Sequence, residues 1–221
     1  MSSHAAPETL ARIAGLSTLP GAPKESVLVM IDPQREYQGR LRLTGIADAV
    51  GEGARLLAFA RSAGIPVIHV LHHGRPGSPV FDPASDGARF IDELAPLEHE
   101  SVLTKSLPNA FAGTELAQRI RATGRQHLII AGFATHMCVS ATARAALDLG
   151  FRSTVVAGAT ATRDLPNPSG EGVTAAAIIQ QGTLAALSDR FSVVIQDTAV
   201  LEERARHAAK SNRSMAVQYL P

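Results

Sequence analysis

Short apolar runs alternate with longer amphipathic stretches along the chain, and this alternation predicts strands that alternate with helices. Apolar runs bounded by turn residues predict strands at 27–31, 66–71, 101–104, 128–131, 151–157 and 191–195. Apolar residues at helical spacing predict helices at 46–63, 88–94, 114–123, 136–150 and 173–187, and from Asp197 onward. Strands linked through helices imply a parallel sheet with right-handed crossovers. The pattern therefore predicts one α/β/α domain.

The two ends of the chain differ from its middle. Residues 1–24 combine a weak helical pattern with Pro20, Gly21 and Pro23, and are predicted to form an arm. Residues 199–221 are predicted to form a helix and tail that pack on the same domain or on a neighbouring subunit. No internal repeat, low-complexity tract or linker interrupts 25–198, so this segment is predicted to be a single domain.

Composition and charge narrow the classes of protein. Apolar residues make up 45% of the 221 residues and charged ones 19%, which suffices for a full core. A net charge of +1 without a basic stripe argues against a nucleic-acid partner. We find no signal-peptide pattern and no apolar run of membrane-spanning length. The single cysteine excludes an intrachain disulfide and fits a reducing compartment, so a cytoplasmic location is expected.

That cysteine lies in the most informative stretch of the chain, Leu128 to Gly150. An apolar strand ends at Gly132, Thr135 is a suitable N-cap, and a helical pattern follows. Cys138 is thus predicted in the first turn of a helix, where the helix dipole favours a thiolate. A small buried structural cysteine is the alternative, since most free cysteines are of that kind. This stretch alone leaves both interpretations open.

Two further reactive residues follow predicted strands. Asp32 comes directly after the first strand and Lys105 after the third, as Cys138 comes after the fourth. Ligands bind at the carboxyl ends of parallel strands, near the switch point that the first and fourth strands flank. We therefore expect Asp32 and Cys138 to lie close together. Asp32 is predicted to act as general base towards the thiol, and Lys105 to stabilise the negative charges.

Three sequence blocks carry a resemblance to a known family. They are VLVMIDPQ at 27–34, KSLPNAFAG at 105–113 and GFATHMCVSATA at 132–143. In these residues and in their spacing the chain resembles the isochorismatase-like cysteine hydrolases, which include nicotinamidases and N-carbamoylsarcosine amidohydrolases. The resemblance implies a three-layer α/β/α fold with a six-stranded, mainly parallel, Rossmann-like sheet over 25–198.

The resemblance also implies a mechanism and a site. Asp32, Lys105 and Cys138 would form a catalytic triad, and the peptide bond between Phe133 and Ala134 would be cis. The N–H groups of Ala134 and Cys138 would then form an oxyanion hole. Attack of the Cys138 thiolate on an amide or related carbonyl would give a thioester that water hydrolyses. The Thr135 hydroxyl could compete for the Cys138 N–H if Thr135 is the N-cap.

Substrate contacts are predicted for residues that lie near these blocks: Gln34, Tyr37, Phe111 and Phe133. Nicotinamidases carry a metal site with an Asp-x-His pair soon after the first strand, and residues 34–44 contain no such pair. His72 and His73 are adjacent, would point apart in an extended chain, and have no carboxylate at ligand spacing. We therefore predict no metal and no cofactor, with His72 or His73 as possible lining of the site.

The predicted function is metal-independent hydrolysis of a C–N bond in a small amide, carbamoyl compound or lactam. Isochorismatase-type cleavage of a vinyl ether is an alternative enzymatic function, and a non-catalytic small-molecule-binding protein is another. A dinucleotide-binding module is disfavoured because Asp32-Pro33-Gln34 follows the first strand in place of a G-x-G-x-x-G motif. The expected partner is a small-molecule substrate, with no nucleic acid and no membrane. A homo-oligomer, dimer or tetramer, is expected from the resemblance and the two terminal arms.

Overall fold

The structure is a computed structural model that describes residues 6–217. Residues 218–221 of the predicted tail, like residues 1–5 of the predicted arm, lie outside the described residues. The strands are β1 Ser26–Ile31, β2 Val67–His72, β3 Ser101–Lys105, β4 His127–Phe133, β5 Arg152–Ala161, β6 Leu165–Pro166, β7 Val173–Thr174 and β8 Val193–Ile195. The α-helices are α1 Leu10–Ile13, α2 Ile46–Ser62, α3 Leu116–Ala122, α4 Ser140–Asp148, α5 Ala176–Arg190 and α6 Thr198–Val217.

Six of the strands form one parallel sheet in the order β3-β2-β1-β4-β5-β8. The order reverses between β1 and β4, which is the topological switch point of a doubly wound sheet. The predicted three-layer α/β/α fold with a six-stranded, Rossmann-like sheet is confirmed. The carboxyl ends of β1 and β4 therefore meet at the centre of one edge of the sheet.

The two faces of β1 support separate cores. Leu28 and Met30 pack on the face that α2 covers, and both are fully buried. Val27, Val29 and Ile31 pack on the other face, in the core that also contains Cys138 and residues of α3 and α4. Each such side chain contributes roughly 1.5–3 kcal/mol when it leaves water. Burial on both faces is why β1 is an unbroken apolar run in the sequence.

Some elements differ from their predictions. The helix predicted at 88–94 is replaced by two 3-10 turns, Asp86–Ala88 and Asp92–Leu94. Between these turns the chain is extended and Phe90 bridges to Gln34, so tertiary pairing overrides the helical pattern. The small antiparallel hairpin of β6 and β7 has no counterpart among the predicted strands. The strand predicted at 151–157 continues past Gly158 to Ala161.

The terminal segments contact the body of the molecule and each other: the N–H of Leu10 donates to Asp189 of α5, and the N–H of Thr198 donates to Glu52 of α2, both at 2.7 Å. The guanidinium of Arg204 in α6 donates to the carbonyl oxygen of Pro20 at 2.9 Å. Asp197 accepts the N–H of Ala199 at 3.0 Å and so caps α6, as predicted. The division into an arm at 1–24, a domain at 25–198 and a tail at 199–221 stays a prediction. Within residues 6–217, no helix is long and apolar enough to cross a membrane.

Candidate active site

Asp32 is brought to the site by an unusual backbone conformation. It follows β1 directly, and a residue that continued the strand would point to the face opposite to that of Ile31. Its φ of +47° breaks this alternation; Asp is among the few residues that tolerate the left-handed region. The carboxylate is fully buried and reaches Lys105 at 2.8 Å.

Lys105 connects the reactive groups. Its ammonium nitrogen lies 2.8 Å from Asp32 Oδ2, 3.3 Å from Cys138 Sγ and 3.0 Å from His72 Nδ1. An ammonium has three N–H donors, so these three acceptors use all of them. The side chains of Lys105 and Asp32 are both 0% exposed. The structure thus brings Asp32, Lys105 and Cys138 together from three strand ends that are far apart in the sequence. We refer to Asp32, His72, Lys105 and Cys138 as the carboxyl-edge cluster.

Cys138 lies in a single π-helical turn, Thr135–Val139, that separates β4 from α4. The N–H of Val139 donates to the carbonyl oxygen of Ala134, five residues earlier, at 3.3 Å. Such π-turns occur often at functional sites because they re-aim one side chain without breaking the helix. The N-cap of this turn is Ala134, which corrects the N-cap prediction for Thr135. The buried Thr135 hydroxyl has no hydrogen-bond partner among the described residues, so it does not take the Cys138 N–H.

The pKa values in the cluster follow from burial. Burial raises the pKa of Asp32 to about 6, against the lowering effect of Lys105. Burial, and next the charge of Asp32, raises the pKa of the Cys138 thiol to about 12, which Lys105 only partly offsets. Burial thus opposes the thiolate that the helix start was predicted to favour. The thiol is protonated at neutral pH and needs a base, and Asp32 has the raised proton affinity that a base requires.

Gly132 shapes the chain just before the reactive turn. Its φ is +113°, and a Cβ placed on it would lie 1.9 Å from the carbonyl oxygen of Ile31, so only glycine fits. The register between β4 and β5 shifts at this point. The peptide bond between Phe133 and Ala134 is cis, as the family resemblance implies. The backbone of β4 thereby passes the end of β1 closely enough to place Cys138 beside Asp32.

His72 is the site residue that the sequence interpretation underestimated. The second strand was predicted to end at residue 71, but β2 includes His72, which is in register with Lys105 of β3. In-register residues of neighbouring parallel strands face the same side, so the imidazole and the ammonium lie side by side. Burial, followed by the charges of Lys105 and His73, lowers the pKa of His72 to about 4. The imidazole is therefore neutral at neutral pH and accepts at Nδ1.

Gln34 is engaged with backbone groups. Its side-chain oxygen accepts the N–H of His72 at 2.8 Å, and its amide nitrogen donates to the carbonyl oxygens of His72 and Ala88 at 3.0 and 2.9 Å. The side chain is fully buried. These contacts fix the end of β2 against the loop that follows β1. The amide oxygen and nitrogen of Gln34 are both engaged in these hydrogen bonds. The substrate contact predicted for Gln34 stays a prediction.

Three aromatic rings pack beside the cluster. Tyr37 contacts Phe133 and Phe81 edge to face, with ring centroids 5.8 and 5.4 Å apart. Phe81 also contacts the His72 ring at 5.0 Å. Burial, and next the charges of Asp32 and Cys138, raises the pKa of Tyr37 well above its ordinary value, so its hydroxyl stays protonated. Tyr37 therefore lies near the reactive groups, and Phe133 packs against Tyr37; the substrate contacts predicted for both stay predictions.

Phe111 lies elsewhere. Its ring stacks on Phe151 with centroids 5.9 Å apart and an interplanar angle of 10°. Phe151 directly precedes β5 and so lies at the amino edge of the sheet, opposite to the edge that carries Cys138. The N–H of Ala110 donates to the Thr142 hydroxyl at 3.0 Å and fixes this loop along α4. The structure gives Phe111 this packing contact, and the substrate contact predicted for it stays a prediction.

The donor set of the cluster can be tested for a metal ion. Ligand atoms of Asp32, His72 and Cys138 lie within 4.8 Å of one another. Zinc would bond such atoms at about 2.0–2.3 Å. The ammonium of Lys105 already contacts all three groups, at 2.8–3.3 Å, and supplies the positive charge at their centre. The four residues therefore fit a lysine-centred cluster better than a metal centre.

The chain is similar to known proteins over most of its length. The family profile described as "Isochorismatase domain" matches residues 26–198. A solved structure of an isochorismatase from Pseudomonas putida KT2440 is 43% identical, with a TM-score of 0.83, and covers 88% of this chain and 99% of that one. The secreted isochorismatase effector Isc1 of Verticillium dahliae is 34% identical over 82% of this chain and 93% of its own length.

Two relatives are named for hydrolytic activities. A streptothricin hydrolase of Streptomyces noursei is 36% identical, over 70% of this chain and 58% of its own length. A maleamate amidohydrolase of Pseudomonas putida is 33% identical, over 62% of this chain and 72% of its own length. The resemblance drawn from the three sequence blocks is thus confirmed, and the chain belongs to the isochorismatase family of hydrolases.

Proposed function

We propose that the protein hydrolyses a C–N bond of a small amide, carbamoyl compound or lactam through a thioester at Cys138. One observation carries the proposal: the buried Lys105 ammonium contacts both Asp32 and Cys138, at 2.8 and 3.3 Å. A base, a nucleophile and a fixed positive charge are the parts that thiol-based acyl transfer needs. The amidohydrolase and streptothricin hydrolase among the relatives support this class of substrate.

The first half of the reaction forms the thioester. Asp32 accepts the thiol proton of Cys138, and the sulfur attacks the carbonyl carbon of the substrate. The negative charge on the carbonyl oxygen is stabilised by the N–H groups of Ala134 and Cys138. The tetrahedral intermediate then collapses, the C–N bond breaks, and the proton on Asp32 moves to the leaving nitrogen. Ammonia or an amine leaves, and the acyl group stays on sulfur.

The second half releases the product. Asp32 accepts a proton from water, and the resulting hydroxide attacks the thioester carbon. The C–S bond breaks, and the thiolate regains a proton from Asp32, which completes the cycle without a net change in the enzyme. The Lys105 side chain contacts both Asp32 and Cys138 and compensates for the negative charge as it moves between them. No step requires a cofactor.

Substrate binding is proposed for Tyr37, which lies near enough to Asp32 and Cys138 for their charges to raise its pKa, and for Phe133, whose ring packs on that of Tyr37. Their apolar faces suit a small, uncharged acyl group rather than a phosphorylated one. A homo-oligomer stays part of the proposal, because the exposed apolar residues of the arm, Leu10, Ile13 and Leu16, would suit contact with a second copy.

Vinyl ether hydrolysis is a second candidate, and the proton affinity of Asp32 favours it. A carboxyl group with its pKa raised to about 6 can donate a proton to an enol ether at mildly acidic pH. This reaction needs an acid but no thiol nucleophile. The relatives named for isochorismatase activity support it.

One experiment separates the two candidates. The wild type and Cys138→Ala are incubated with a panel of small amides, carbamoyl compounds, lactams and ureas, and with isochorismate. We expect the wild type to release ammonia or amine from a member of the panel, with an acyl adduct on Cys138 in mass spectrometry, and the variant to release none. Isochorismate cleavage at equal rates by both proteins, without amide turnover, would overturn the amide proposal and support the ether reaction.

A further inference from the structure

We propose that His72 is a positioning residue that orients the Lys105 ammonium towards Asp32 and Cys138. The inference rests on the proposed role of Cys138 as nucleophile and extends it to a fourth residue. Lys105 is the last residue of β3 and His72 the last of β2, and the two are in register. The 3.0 Å contact between Lys105 Nζ and His72 Nδ1 follows directly from that pairing.

The donor count of the ammonium explains why a third acceptor matters. A buried ammonium with only two acceptors would rotate about its Cε–Nζ bond and leave one N–H without a partner. His72 takes the third N–H, so the other two are held on Asp32 Oδ2 and Cys138 Sγ. Lys105 has no exposed side-chain surface on which water could replace the imidazole. The orientation of the charge is therefore set by His72.

His72 is itself held in place from two sides. Gln34 hydrogen-bonds both the N–H and the carbonyl oxygen of His72, at 2.8 and 3.0 Å. The Phe81 ring packs edge to face on the imidazole at 5.0 Å. A ring fixed in this way keeps Nδ1 towards Lys105. The buried amide of Gln34 thereby acquires a function in the site through His72.

The protonation state of His72 suits an acceptor of a hydrogen bond from Lys105. The charged and titratable groups around the imidazole are Lys105 from β3, His73 directly after β2, Asp32 after β1 and Cys138 in the π-turn. Burial, then Lys105 and His73, keeps the pKa of His72 low, so Nδ1 has a free lone pair at neutral pH. The ring proton is consequently on Nε2. In this tautomer His72 can accept from Lys105 across the pH range in which Asp32 changes its charge.

Four variants test the proposal. His72→Leu removes the acceptor, and His72→Asn keeps an oxygen acceptor near the position of Nδ1. His72→Gln carries its acceptor one bond farther out, near the position of Nε2. His73→Asn changes the neighbouring histidine, which lies outside the cluster, and serves as the matched control. Thermal unfolding of each variant establishes that it is folded.

The main measurement is the rate of Cys138 alkylation by iodoacetamide as a function of pH, which requires no substrate. We expect His72→Leu to slow alkylation near neutral pH by about 10- to 100-fold, the effect of one hydrogen bond to a charged group. Its apparent thiol pKa should rise, because the ammonium no longer stays on the sulfur. His72→Asn should recover most of the rate, His72→Gln less, and His73→Asn should match the wild type.

Turnover provides the second measurement once a substrate is known. In His72→Leu we expect kcat to fall with little change in KM, since the residue acts through Lys105 and not on the substrate. An alkylation profile of folded His72→Leu that matches the wild type would overturn the proposal, as would equal losses in the Asn and Leu variants. Neither outcome bears on the proposed function, which fails instead if Cys138→Ala retains amide turnover.

Discussion

Two buried clusters of the molecule contain the same kinds of side chain and behave in opposite ways. The carboxyl-edge cluster combines Asp32, His72, Lys105 and Cys138. At the other edge of the sheet, Arg61, His69 and Glu100 form a second cluster, which we call the amino-edge cluster. Each joins a carboxylate, a permanent or near-permanent cation and a neutral histidine. Only the first contains a nucleophile.

The two carboxylates differ in how their charge is satisfied. Glu100 accepts two hydrogen bonds from Arg61, one from His69 and one from the N–H of Leu97, at 2.8–3.0 Å. Although burial raises its pKa, these bonds lower the pKa of Glu100 to about 2. Asp32 accepts one hydrogen bond from Lys105, and its Oδ1 has no partner among the described residues. Its pKa is raised to about 6.

This difference in hydrogen bonding gives Glu100 a structural role and leaves Asp32 able to exchange a proton. A carboxylate with all its lone pairs occupied has little affinity for a proton and serves to hold elements together. A carboxylate that burial has left partly unsatisfied can take up and release a proton near neutral pH. The amino-edge cluster joins α2, β2 and the start of β3, whereas the carboxyl-edge cluster is set up for reaction.

The largest expected effect comes from the removal of Cys138, the nucleophile that has no counterpart in the amino-edge cluster. Cys138→Ala should abolish amide turnover and leave the fold intact, because the loss of one sulfur atom at a strand end removes little packing. Ammonia release and circular dichroism measure the two effects. Turnover that persists in the folded variant would mean that the two clusters differ in charge only, and not in chemistry.

Replacement of Asp32 and of Glu100 by the corresponding amide should affect catalysis differently. Asp32→Asn is expected to lower kcat by about 10²–10⁴-fold, the usual contribution of a general base. Glu100→Gln is the matched control at the amino edge, and its kcat should stay close to that of the wild type in the folded protein. Steady-state kinetics with the substrate found in the panel measures both. Similar losses in the two variants would contradict the assignment of the base.

For the free energy of unfolding we expect the reverse, because Glu100 is the carboxylate that holds elements together. At neutral pH, Glu100→Gln is expected to destabilise the protein by about 3 kcal/mol, since it leaves Arg61 partly unpaired. The folded-state pKa of Glu100 lies below its ordinary value of 4.5, so its carboxylate stabilises the fold above pH 4.5, and this stabilisation is lost as the pH falls towards 2. The difference between variant and wild type in urea unfolding should therefore narrow on acidification. An equal difference at pH 7 and pH 3 would refute this account.

The smallest expected effect concerns the aromatic residues of the two edges. Phe111→Leu should cost about 1 kcal/mol of stability through its stacking on Phe151, and leave kcat and KM unchanged. Phe133→Leu, beside the carboxyl-edge cluster, is the matched variant and should raise KM. Thermal unfolding and steady-state kinetics give both values. A raised KM in Phe111→Leu would instead support the substrate contact that the sequence predicted for this ring.

Much of the fold and of the site could be predicted because both depend on local patterns. The apolar run of β1 and the residues that follow it predicted a buried strand ending at Asp32, and the apolar run that ends at Gly132 predicted a strand shortly before Cys138. His72 was missed because the end of β2 depends on its pairing with β3, and nothing in the residues 70–73 marks that end. The stacking of Phe111 on Phe151 was not predicted, because the two rings lie forty residues apart along the chain.

The sequence by itself determined the order of the six sheet strands along the chain, the parallel sheet and the three strand ends that carry Asp32, Lys105 and Cys138. Hydrophobic periodicity and turn residues act over a few positions, so they can be read without coordinates. Only the tertiary structure decided which carboxylate has hydrogen-bond partners for all its oxygens, whether the Cys138 thiol keeps its proton, and which histidine faces Lys105. These properties depend on burial and on contacts between distant segments, and they set the pKa values on which the chemistry depends.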